Sequence, residues 1–345
     1  MQYRTLGGTG IEVSVLGLGT MMFGEWGNRD EKECHRMVDA ALDAGVNIVD
    51  TADVYAFGES EEILGRALAG RRDAVILATK GHNAIPGDPR DRNRSGNSRV
   101  WLTRAVEDSL RRLGTDYLDL YQVHRPDPRT DVDETLGVLS DLVRQGKIRA
   151  IGTSSFPAEQ LVEAQWVARD RGRERFTTEQ VSYSILARHA EHAVLPVAEQ
   201  HRLGVLVWSP LNGGWLTGKY RAGQEASGDS RALRQGGEHF DFRQEDVRAR
   251  KLAAVEQLGV IAADAGLSLI HLALGFVLAH RAVTTALLGP RTEQQLTDQL
   301  GAADVVLSAE TLDRIDAVVA PGATLNPTDV GYEAPALSDP ALRRR

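Results

Sequence analysis

Eight short apolar runs recur along the 345-residue chain, and segments with the periodicity of amphipathic helices separate most of them. Strict alternation of strand and helix predicts an α/β fold with a parallel sheet. Eight repeats favour a closed (β/α)8 TIM barrel over an open doubly wound sheet. The predicted strands cover residues 13–19, 46–51, 74–80, 118–124, 148–154, 178–183, 205–209 and 284–288, and the predicted helices cover residues 31–44, 98–113, 130–145, 157–171, 191–201 and part of 245–280.

Three segments lie outside this alternation. The Gly7-Gly8 turn near the start of the chain predicts an N-terminal β-hairpin. The long loop after strand seven, residues 212–246, is rich in Gly, Arg, Ser and Asp, which is typical of a functional or a disordered segment. The tail, residues 321–345, either packs over the barrel mouth or lacks fixed structure. We therefore expect one catalytic barrel domain over residues 1–320, followed by this C-terminal tail.

The overall composition narrows the possible partners. A net charge of −8 argues against a nucleic-acid groove or an anionic membrane surface. No apolar run approaches the roughly 20 residues of a membrane span, and the N-terminus has no apolar signal region. Cys34 is the only cysteine, so neither an intrachain disulfide nor a cysteine-based metal site is expected. These features predict a cytoplasmic, metal-free protein and leave its oligomeric state open.

Polar residues end three of the apolar runs. Asp50 ends the second run, Lys80 the third and His124 the fourth, while Tyr55 follows shortly after Asp50. In a (β/α)8 barrel the carboxyl ends of all strands share one face, and that face carries the chemistry. We therefore expect an acid, a phenol, an amine and an imidazole to converge there. This set suits proton transfer to a carbonyl oxygen.

Tyr55 is the expected proton donor of the set. A free phenol has a pKa of about 10, which a neighbouring cation lowers, and Lys80 is the natural cation. Asp50 supplies the counter-charge that a buried lysine requires, and His124 can donate a hydrogen bond that orients the carbonyl. The structural alternative treats Asp50 and Lys80 as a buried ion pair, Tyr55 as a loop aromatic and His124 as a strand-end cap.

None of these side chains is a reductant, so a hydride must come from a cofactor. Residues 17–22 begin like the dinucleotide fingerprint G-x-G-x-x-G but lack its third glycine, so a dinucleotide would have to lie across the barrel mouth. Barrels often bind phosphate at the loops after strands seven and eight. Arg291 lies just before a predicted helix and suits a phosphate there, its alternative being a solvated side chain.

Longer segments carry a family resemblance. They lie, in order, at residues 17–20, 50–55, 58–61, 78–80, 109–113, 116–124, 146–152, 208–211, 216–220 and 289–292, with Gln295. On these segments the chain resembles the aldo-keto reductases, from about residue 3 to residue 300. The strings Trp-Ser-Pro-Leu and Leu-Thr-Gly-Lys-Tyr are similar to the branch that includes bacterial general reductases and potassium-channel β-subunits.

The resemblance implies a role for each matching residue. Asp50, Tyr55, Lys80 and His124 match the catalytic tetrad, with hydride supplied from C4 of the nicotinamide of NADPH. Implied cofactor contacts are Gly19, Thr20, Asp50, Ser154, Gln180, Trp208, Ser209, Pro210, Leu211, Gly213, Lys219, Gly289, Arg291, Gln295 and Gln299. Among these, Ser154 and Gln180 match the residues that hold the carboxamide, and Trp208 takes the place of an aromatic that stacks on the nicotinamide. Ser209, Leu211 and Lys219 match the segment that wraps the pyrophosphate. Arg291 and Gln295 match the clamp on the adenosine 2′-phosphate, which favours NADP over NAD.

Three positions depart from the family's usual residues. Ala56 stands where Gly commonly follows the catalytic Tyr, Ser155 stands where many relatives have Asn, and Gln299 stands where Asn often touches adenine. These departures lie outside the tetrad and bear on cofactor affinity. Met22 and Trp26 lie on the loop after strand one and are expected to wall the substrate pocket with Tyr55 and His124. Their alternative is packing under that loop.

Three hypotheses follow. The leading one is NADPH-dependent reduction of an aldehyde or ketone to an alcohol. The second is an NADP(H)-binding sensor or subunit with vestigial turnover, and the third is a Schiff-base aldolase that uses Lys80. Asp50 argues against the third, because a fixed counter-ion keeps Lys80 charged and non-nucleophilic. The natural substrate is left open, and the arginine-rich segment 81–96 is interpreted as solvated rather than as a site for an anionic substrate.

Overall fold

The computed structural model of the chain describes residues 1–85, 91–221 and 244–344. Its strands are β1 (Tyr3–Thr5), β2 (Glu12–Ser14), β3 (Leu16–Gly19), β4 (Ile48–Asp50), β5 (Ile76–Gly81), β6 (Leu118–Val123), β7 (Ile148–Ser154), β8 (Thr178–Ser182), β9 (Gly204–Trp208) and β10 (Val283–Leu288). Strands β3 to β10 are parallel and follow one another in chain order around a closed barrel, in which β10 pairs with β3. The (β/α)8 barrel expected from the eight apolar runs is therefore confirmed.

The helices that connect and cover the strands are α1 (Glu31–Asp43), α2 (Glu59–Ala67), α3 (Arg99–Leu113), α4 (Val132–Arg144), α5 (Ala158–Arg171), α6 (Val194–His201), α7 (Glu245–Asp264), α8 (Leu269–Ala279), α9 (Glu293–Leu300), α10 (Ala309–Val318) and α11 (Pro335–Ser338). Side-chain caps fix several of their starts: the Ser98 hydroxyl accepts from the backbone N–H of Trp101 in α3. Within the described ranges, no single helix is long and apolar enough to span a bilayer; α7 and α8 reach that length and composition only as a pair, bent by 90°.

The structure corrects three details of the predicted elements. The first barrel strand begins at Leu16 rather than at residue 13, because residues 12–14 pair with β1 in the N-terminal hairpin. Helices α2, α10 and α11 lie outside the predicted helices; α2 has only nine residues, and its buried face includes Ser60 and Glu61 beside its apolar residues. The single helical stretch expected within 245–280 is divided into α7 and α8 at Gly266, whose φ of +70° ends a helix.

Two apolar clusters show which end of the barrel is closed. A large cluster fills the space between the barrel and its helices. A smaller one comprises Leu6, Val13, Ile48, Ala78, Leu120, Ala150, Leu206 and Leu287. Its members on β4, β5 and β6 lie two residues before Asp50, Lys80 and Gln122 and therefore point the same way, into the barrel. The hairpin residues join this cluster, so the hairpin plugs the amino-terminal end of the barrel and leaves the carboxyl end for the site.

The C-terminal tail crosses that carboxyl end. The backbone N–H of Leu325 donates to the carbonyl of Leu186, beyond the end of β8, at 3.0 Å. Asp329 is buried against Lys251 of α7, with 2.6 Å between Oδ2 and Nζ. A Cβ placed on Gly331 would lie 2.4 Å from the Trp208 ring, so the tail backbone lies directly against that indole. Residues 323–331 therefore take the first of the two alternatives and pack over the barrel mouth.

Candidate active site

Lys80 is the centre of the candidate site. Its side chain is fully buried, and its ammonium donates to Asp50 Oδ2 at 2.5 Å, to the carbonyl of Thr51 at 2.8 Å and to the Tyr55 hydroxyl at 3.1 Å. Burial alone would lower the pKa of Lys80, but the attraction of Asp50 and Tyr55 outweighs it and raises that pKa above its ordinary value. All three ammonium protons have acceptors, so Lys80 is held as a cation.

The second oxygen of Asp50 is also occupied. Asp50 Oδ1 accepts from the amide of Gln122 at 3.0 Å and from the amide of Gln180 at 2.8 Å, and the two amides contact each other at 3.1 Å. Sequence reasoning assigned Gln180 to a cofactor and did not single out Gln122. A signal for Gln122 existed, because it lies two residues before His124 in β6 and so faces the same interior. The Asp50 carboxylate is thereby fixed from three sides.

Tyr55 starts the short 3₁₀ turn Tyr55–Gly58 that follows β4. Its ring lies edge-on to His124, with 6.0 Å between ring centroids, and at 6.3 Å from the Trp26 ring. Lys80 contacts the Tyr55 ring from the buried side, with Nζ 4.8 Å from the ring centroid. The phenol therefore stands between the buried cation and the open end of the barrel, where a proton can be passed to a bound molecule.

His124 follows β6 directly and is only 6% exposed. Burial lowers the pKa of His124 well below its usual range, and the nearby Arg125 and Lys80 charges lower it further. The ring is therefore neutral near pH 7. The Asn83 amide nitrogen lies 3.2 Å from His124 Nδ1. With the Asn83 amide assigned this orientation, its NH₂ group donates, so Nδ1 is assigned as the acceptor and the ring proton to Nε2. Sequence reasoning missed Asn83, which has no local signal.

The Asn83→Leu variant is expected to lower kcat for a carbonyl substrate by about 10-fold, the effect of losing one hydrogen bond of the site. The reason is that Nδ1 loses its donor, so the ring proton distributes over both nitrogens. Nitrogen-15 NMR of the His124 ring should then show mixed tautomers instead of one. Asn93→Leu, at an exposed position further along the same connection, is the control. An unchanged ring spectrum in Asn83→Leu would contradict the assignment.

Glu179 lies on β8 behind the site and is completely buried. Its carboxyl accepts from the Thr153 hydroxyl at 2.5 Å and from the backbone N–H of Phe156 at 3.1 Å. Burial nevertheless raises the pKa of Glu179 from its ordinary value of 4.5 to about 8. The native chain therefore keeps this carboxyl mostly protonated at neutral pH, whereas an unfolded chain releases the proton.

This proton makes stability depend on pH in a definite direction. Between pH 4.5 and about 8 the native state holds a proton that the unfolded state lacks, so the free energy of unfolding falls as pH rises, by at most about 1.4 kcal/mol per pH unit. Glu179→Gln removes this dependence. Its stability relative to the native sequence should rise from pH 5 to 8 and level off above, as measured by urea unfolding. Glu163→Gln, on an exposed position of α5, serves as the control, and parallel curves for all three proteins would refute the assignment.

Several residues assigned to a cofactor fit a large polar ligand. Ser154 Oγ and Trp208 Nε1 are buried at the ends of β7 and β9 and have no hydrogen-bond partner among the described residues. Buried polar atoms without partners are rare in native proteins, and a bound ligand is one explanation. A Cβ placed on Gly289, beyond β10, would have no atom within 4 Å, so a ligand can approach the backbone there, whereas a Cβ on Gly19 would lie 3.1 Å from the Leu288 carbonyl oxygen. The ends of the strands thus combine an accessible stretch of backbone at Gly289 with the donors of Ser154 and Trp208, which are unpaired among the described residues.

The loops after β9 and β10 hold the residues assigned to the phosphates. Gln295 Oε1 accepts from the backbone N–H of Arg291 at 2.9 Å, so both residues are fixed together at the start of α9. The Gln299 amide donates to the Gln295 carbonyl one turn later. In the loop after β9, the Lys219 side chain packs against Gly214: a Cβ placed on Gly214 would lie 3.0 Å from Lys219 Nζ. These roles remain predictions.

Backbone strain concentrates around the same end of the barrel. Five non-glycine residues of the described chain that follow barrel strands adopt left-handed conformations, with φ of 45° to 58°: Ala56, Phe57, Ser155, Ser209 and Asn212. Each such residue costs about 1 kcal/mol or more and tends to occur at functional sites. Ala56 and Ser155 are two of the positions where this chain departs from Gly and Asn, which adopt this conformation at lower cost.

The two residues assigned to the substrate differ in their surroundings. Trp26 contacts the rings of Tyr55 and Phe57, so it stands beside the phenol. Met22 is 4% exposed and packs on its own loop, where a Cβ on Gly27 would meet its carbonyl at 2.3 Å. The structure therefore brings Trp26 to the tetrad, while the substrate contact of Met22 stays a prediction.

A closed barrel with an acid, a phenol, an amine and an imidazole joined at the carboxyl ends of its strands defines a (β/α)8-barrel protein with an enzyme-like site. The model of the aldo/keto reductase family matches residues 15–320, and the chain belongs to that family. The family resemblance of the sequence motifs is thus confirmed. Membership makes the chain an oxidoreductase of a family that generally uses nicotinamide cofactors.

Similar proteins come from bacteria and plants. The chain is 39% identical to the oxidoreductase YrpG of Bacillus subtilis (strain 168) over 321 residues, and this matched region covers 90% of the chain and 94% of YrpG. It is 40% identical over 307 residues to the aldo-keto reductase YhdN of the same organism, covering 86% and 87%. It is also 37% identical over 326 residues to a probable voltage-gated potassium channel subunit beta of Oryza sativa subsp. japonica, covering 92% and 97%.

Proposed function

We propose that the chain reduces an aldehyde or ketone to the alcohol with NADPH. The observation that supports this most directly is the Lys80 ammonium, which contacts both the Asp50 carboxylate and the Tyr55 hydroxyl beside a neutral His124. Such a set stabilises the phenolate that remains after Tyr55 gives up its proton.

Each residue has one role in this proposal. Tyr55 donates its hydroxyl proton to the carbonyl oxygen as that oxygen gains negative charge, and takes it back in the reverse direction. Lys80 stabilises the resulting phenolate, and Asp50 keeps Lys80 charged and in place. His124 donates from Nε2 to the same carbonyl oxygen and orients the substrate, because Asn83 occupies Nδ1.

The residues proposed to bind the cofactor also lie at the carboxyl ends of the barrel strands and in the loops that follow them. NADPH supplies the hydride when it is bound. Ser154 and Gln180 would hold its carboxamide, and Trp208 would stack on the nicotinamide. The loop residues Ser209 and Lys219 would contact the pyrophosphate. The preference for NADP over NAD rests on Arg291 and Gln295, which the first turn of α9 fixes together. A small-molecule carbonyl compound is the only partner that this proposal requires.

The plant channel-subunit relative favours a second candidate, an NADP(H)-binding sensor or subunit with slow turnover. A sensor would hold NADP(H) tightly and turn over slowly with every carbonyl compound tried. The Schiff-base alternative is weaker, because three acceptors and a raised pKa keep Lys80 protonated. Borohydride trapping of a substrate on Lys80 would revive it.

The experiment that tests the proposed function combines NADPH fluorescence titration with absorbance turnover on a panel of aldehydes and ketones. Micromolar or tighter binding with steady consumption supports the reductase. Tight binding without turnover supports the sensor instead. If neither NADPH nor NADH binds, the cofactor assignment is wrong and Lys80 chemistry has to be reconsidered.

A further inference from the structure

Arg125 lies directly beside the candidate site and has no assigned role. It follows His124 in the chain, and its Nη1 donates to the carbonyl of His124 at 2.7 Å and to Ser155 Oγ at 3.2 Å. Its charge is close enough to Tyr55 and His124 to act on both, since it lowers the pKa of His124 and interacts with the Tyr55 phenol. The guanidinium is thus held between the His124 carbonyl and the Ser155 hydroxyl, next to the tetrad.

Among the described residues, this guanidinium has no counter-charge. In the part of the chain that the structure describes, no carboxylate lies within 4.0 Å of Arg125, and Nη1 is its only nitrogen with a hydrogen-bond acceptor. Four cations whose side chains are at most 13% exposed are each paired with a carboxylate: Lys80 with Asp50, Arg112 with Glu61, Arg188 with Glu191, and Lys251 with Asp329. Arg4 is partly buried, as is Arg125, and has no carboxylate within 4.0 Å among the described residues, but it lies away from the site and donates to the carbonyls of Val283 and Leu278. The acid that interacts with Arg125 is Glu179, whose raised pKa keeps it mostly protonated near pH 7.

A partly buried charge without a partner destabilises the chain that carries it. Burial in fact lowers the pKa of Arg125. The side chain still offers Nε–H and Nη2–H in the planar arrangement that matches a carboxylate with two parallel hydrogen bonds. An anion supplied from outside would satisfy these donors and the charge together.

The cofactor phosphates are poor candidates for this anion. The residues assigned to them follow β9 and β10, whereas Arg125 follows β6, which lies on the opposite side of the closed barrel from β10. The carboxamide at the nicotinamide end carries no charge. The molecule that remains is the carbonyl compound itself, which has to lie against Tyr55 and His124.

We propose that the substrate is an aldehyde or ketone that also carries a carboxylate, and that Arg125 binds this carboxylate. The inference rests on the proposed function for the presence of a carbonyl substrate. It goes further by naming the charge of that substrate and the residue that selects it. Arg125 is then a specificity-determining residue, and the selected anion enters beside His124, under the tail that covers Trp208.

The test compares 3- and 4-carboxybenzaldehyde with their methyl esters, which have the same ring and aldehyde but no charge. The native chain should show a kcat/KM at least 10-fold higher for one of the acids than for its ester. Arg125→Gln should lower kcat/KM for that acid by about 10- to 100-fold, mainly through KM, and change the ester less than 3-fold. Arg125→Lys keeps the charge and should retain part of the preference.

Arg129→Gln is the matched control, because Arg129 lies on the same loop, is largely exposed and already pairs with Asp127. It should leave both substrates and the NADPH affinity unchanged. An equal loss of acid and ester turnover in Arg125→Gln would mean a structural role and overturn the inference, as would a native chain that does not distinguish the two. A larger loss of NADPH affinity than of acid turnover would assign Arg125 to the cofactor.

A binding measurement separates failure of this inference from failure of the proposed function. Calorimetry should detect benzoate but not benzamide binding to the native chain, and no benzoate binding to Arg125→Gln. If no aldehyde is reduced while this selectivity holds, the reductase proposal fails and the anion site stands. If neutral aldehydes are reduced but benzoate does not bind, the reductase stands and the anion site is refuted.

Discussion

The Tyr55→Phe variant is expected to reduce an aldehyde with a kcat about 10² to 10⁴ times lower than that of the native chain, the usual contribution of a positioned proton donor. Phenylalanine keeps the ring that contacts Trp26 and His124 and removes only the hydroxyl that Lys80 reaches at 3.1 Å. The hydride acceptor then has no proton donor in place. Stopped-flow absorbance of NADPH at saturating aldehyde measures the effect.

The binding of the cofactor tells whether this loss is chemical. NADPH affinity of Tyr55→Phe should stay within about 3-fold of the native value, because the phenol hydroxyl is not among the assigned cofactor contacts. Tyr117→Phe is the matched control. Tyr117 lies just before β6, at the other end of the barrel, where its hydroxyl donates to Asp73, and turnover of this variant should be unchanged. Turnover of Tyr55→Phe close to the native rate would remove Tyr55 from the proposed mechanism.

The positions of three site residues could be predicted from strand periodicity alone. Asp50, Lys80 and His124 each end an apolar run, and a closed barrel places the ends of consecutive strands side by side. The register then completes the arrangement. Asp50 pairs with Ala78, so Lys80 lies two residues further along β5 and projects to the same interior. The 2.5 Å contact between Lys80 and Asp50 follows from this geometry.

The partners of these residues could not be predicted in the same way. Asn83 reaches His124 from the loop after a different strand, and Gln180 reaches Asp50 from across the barrel. No sequence periodicity predicts that a given asparagine or glutamine makes such a contact. Whether its amide donates to a particular partner depends on how the two segments are placed in the folded chain. For the same reason the sequence does not show that Arg125 lacks a counter-charge among the described residues, because this depends on where the neighbouring carboxylates of those residues lie.

The tail illustrates a further limit. Its sequence has no periodicity, so packing and disorder were equally open before the structure was known. Packing depends on one buried group of side chains. The Lys251 ammonium of α7 contacts Asp329 Oδ2 at 2.6 Å and Asn212 Oδ1 at 2.8 Å, and the Asn212 amide donates to Asp329 at 3.0 Å. This cluster joins the tail to the loop after β9, although its members lie far apart in sequence.

The Lys251→Met variant is therefore expected to lose about 3 to 5 kcal/mol of unfolding free energy, because the methionine leaves the fully buried Asp329 carboxylate without its cation. Urea unfolding followed by circular dichroism measures the loss. The double variant Lys251→Met with Asp329→Leu removes both charges and should recover much of it, since an apolar pair of similar size carries no unpaired charge. The exposed Lys32→Met is the control and should unfold like the native chain.

The same variant should also weaken NADPH binding, provided that the loop after β9 holds the cofactor as proposed. Asn212 has a left-handed φ of 48° and follows the assigned contacts Ser209 and Leu211, so its bonds to Lys251 and Asp329 stabilise a strained turn of that loop. Without Lys251 the turn can relax, and the assigned contacts lose their positions. NADPH fluorescence titration should show a weaker affinity in Lys251→Met that the double variant restores only in part, because the side chain of Asn212 has then lost its bonds to both Lys251 and Asp329. An affinity equal to the native value, in a variant that has lost the expected stability, would separate the tail cluster from the cofactor loop and leave it a purely structural clamp.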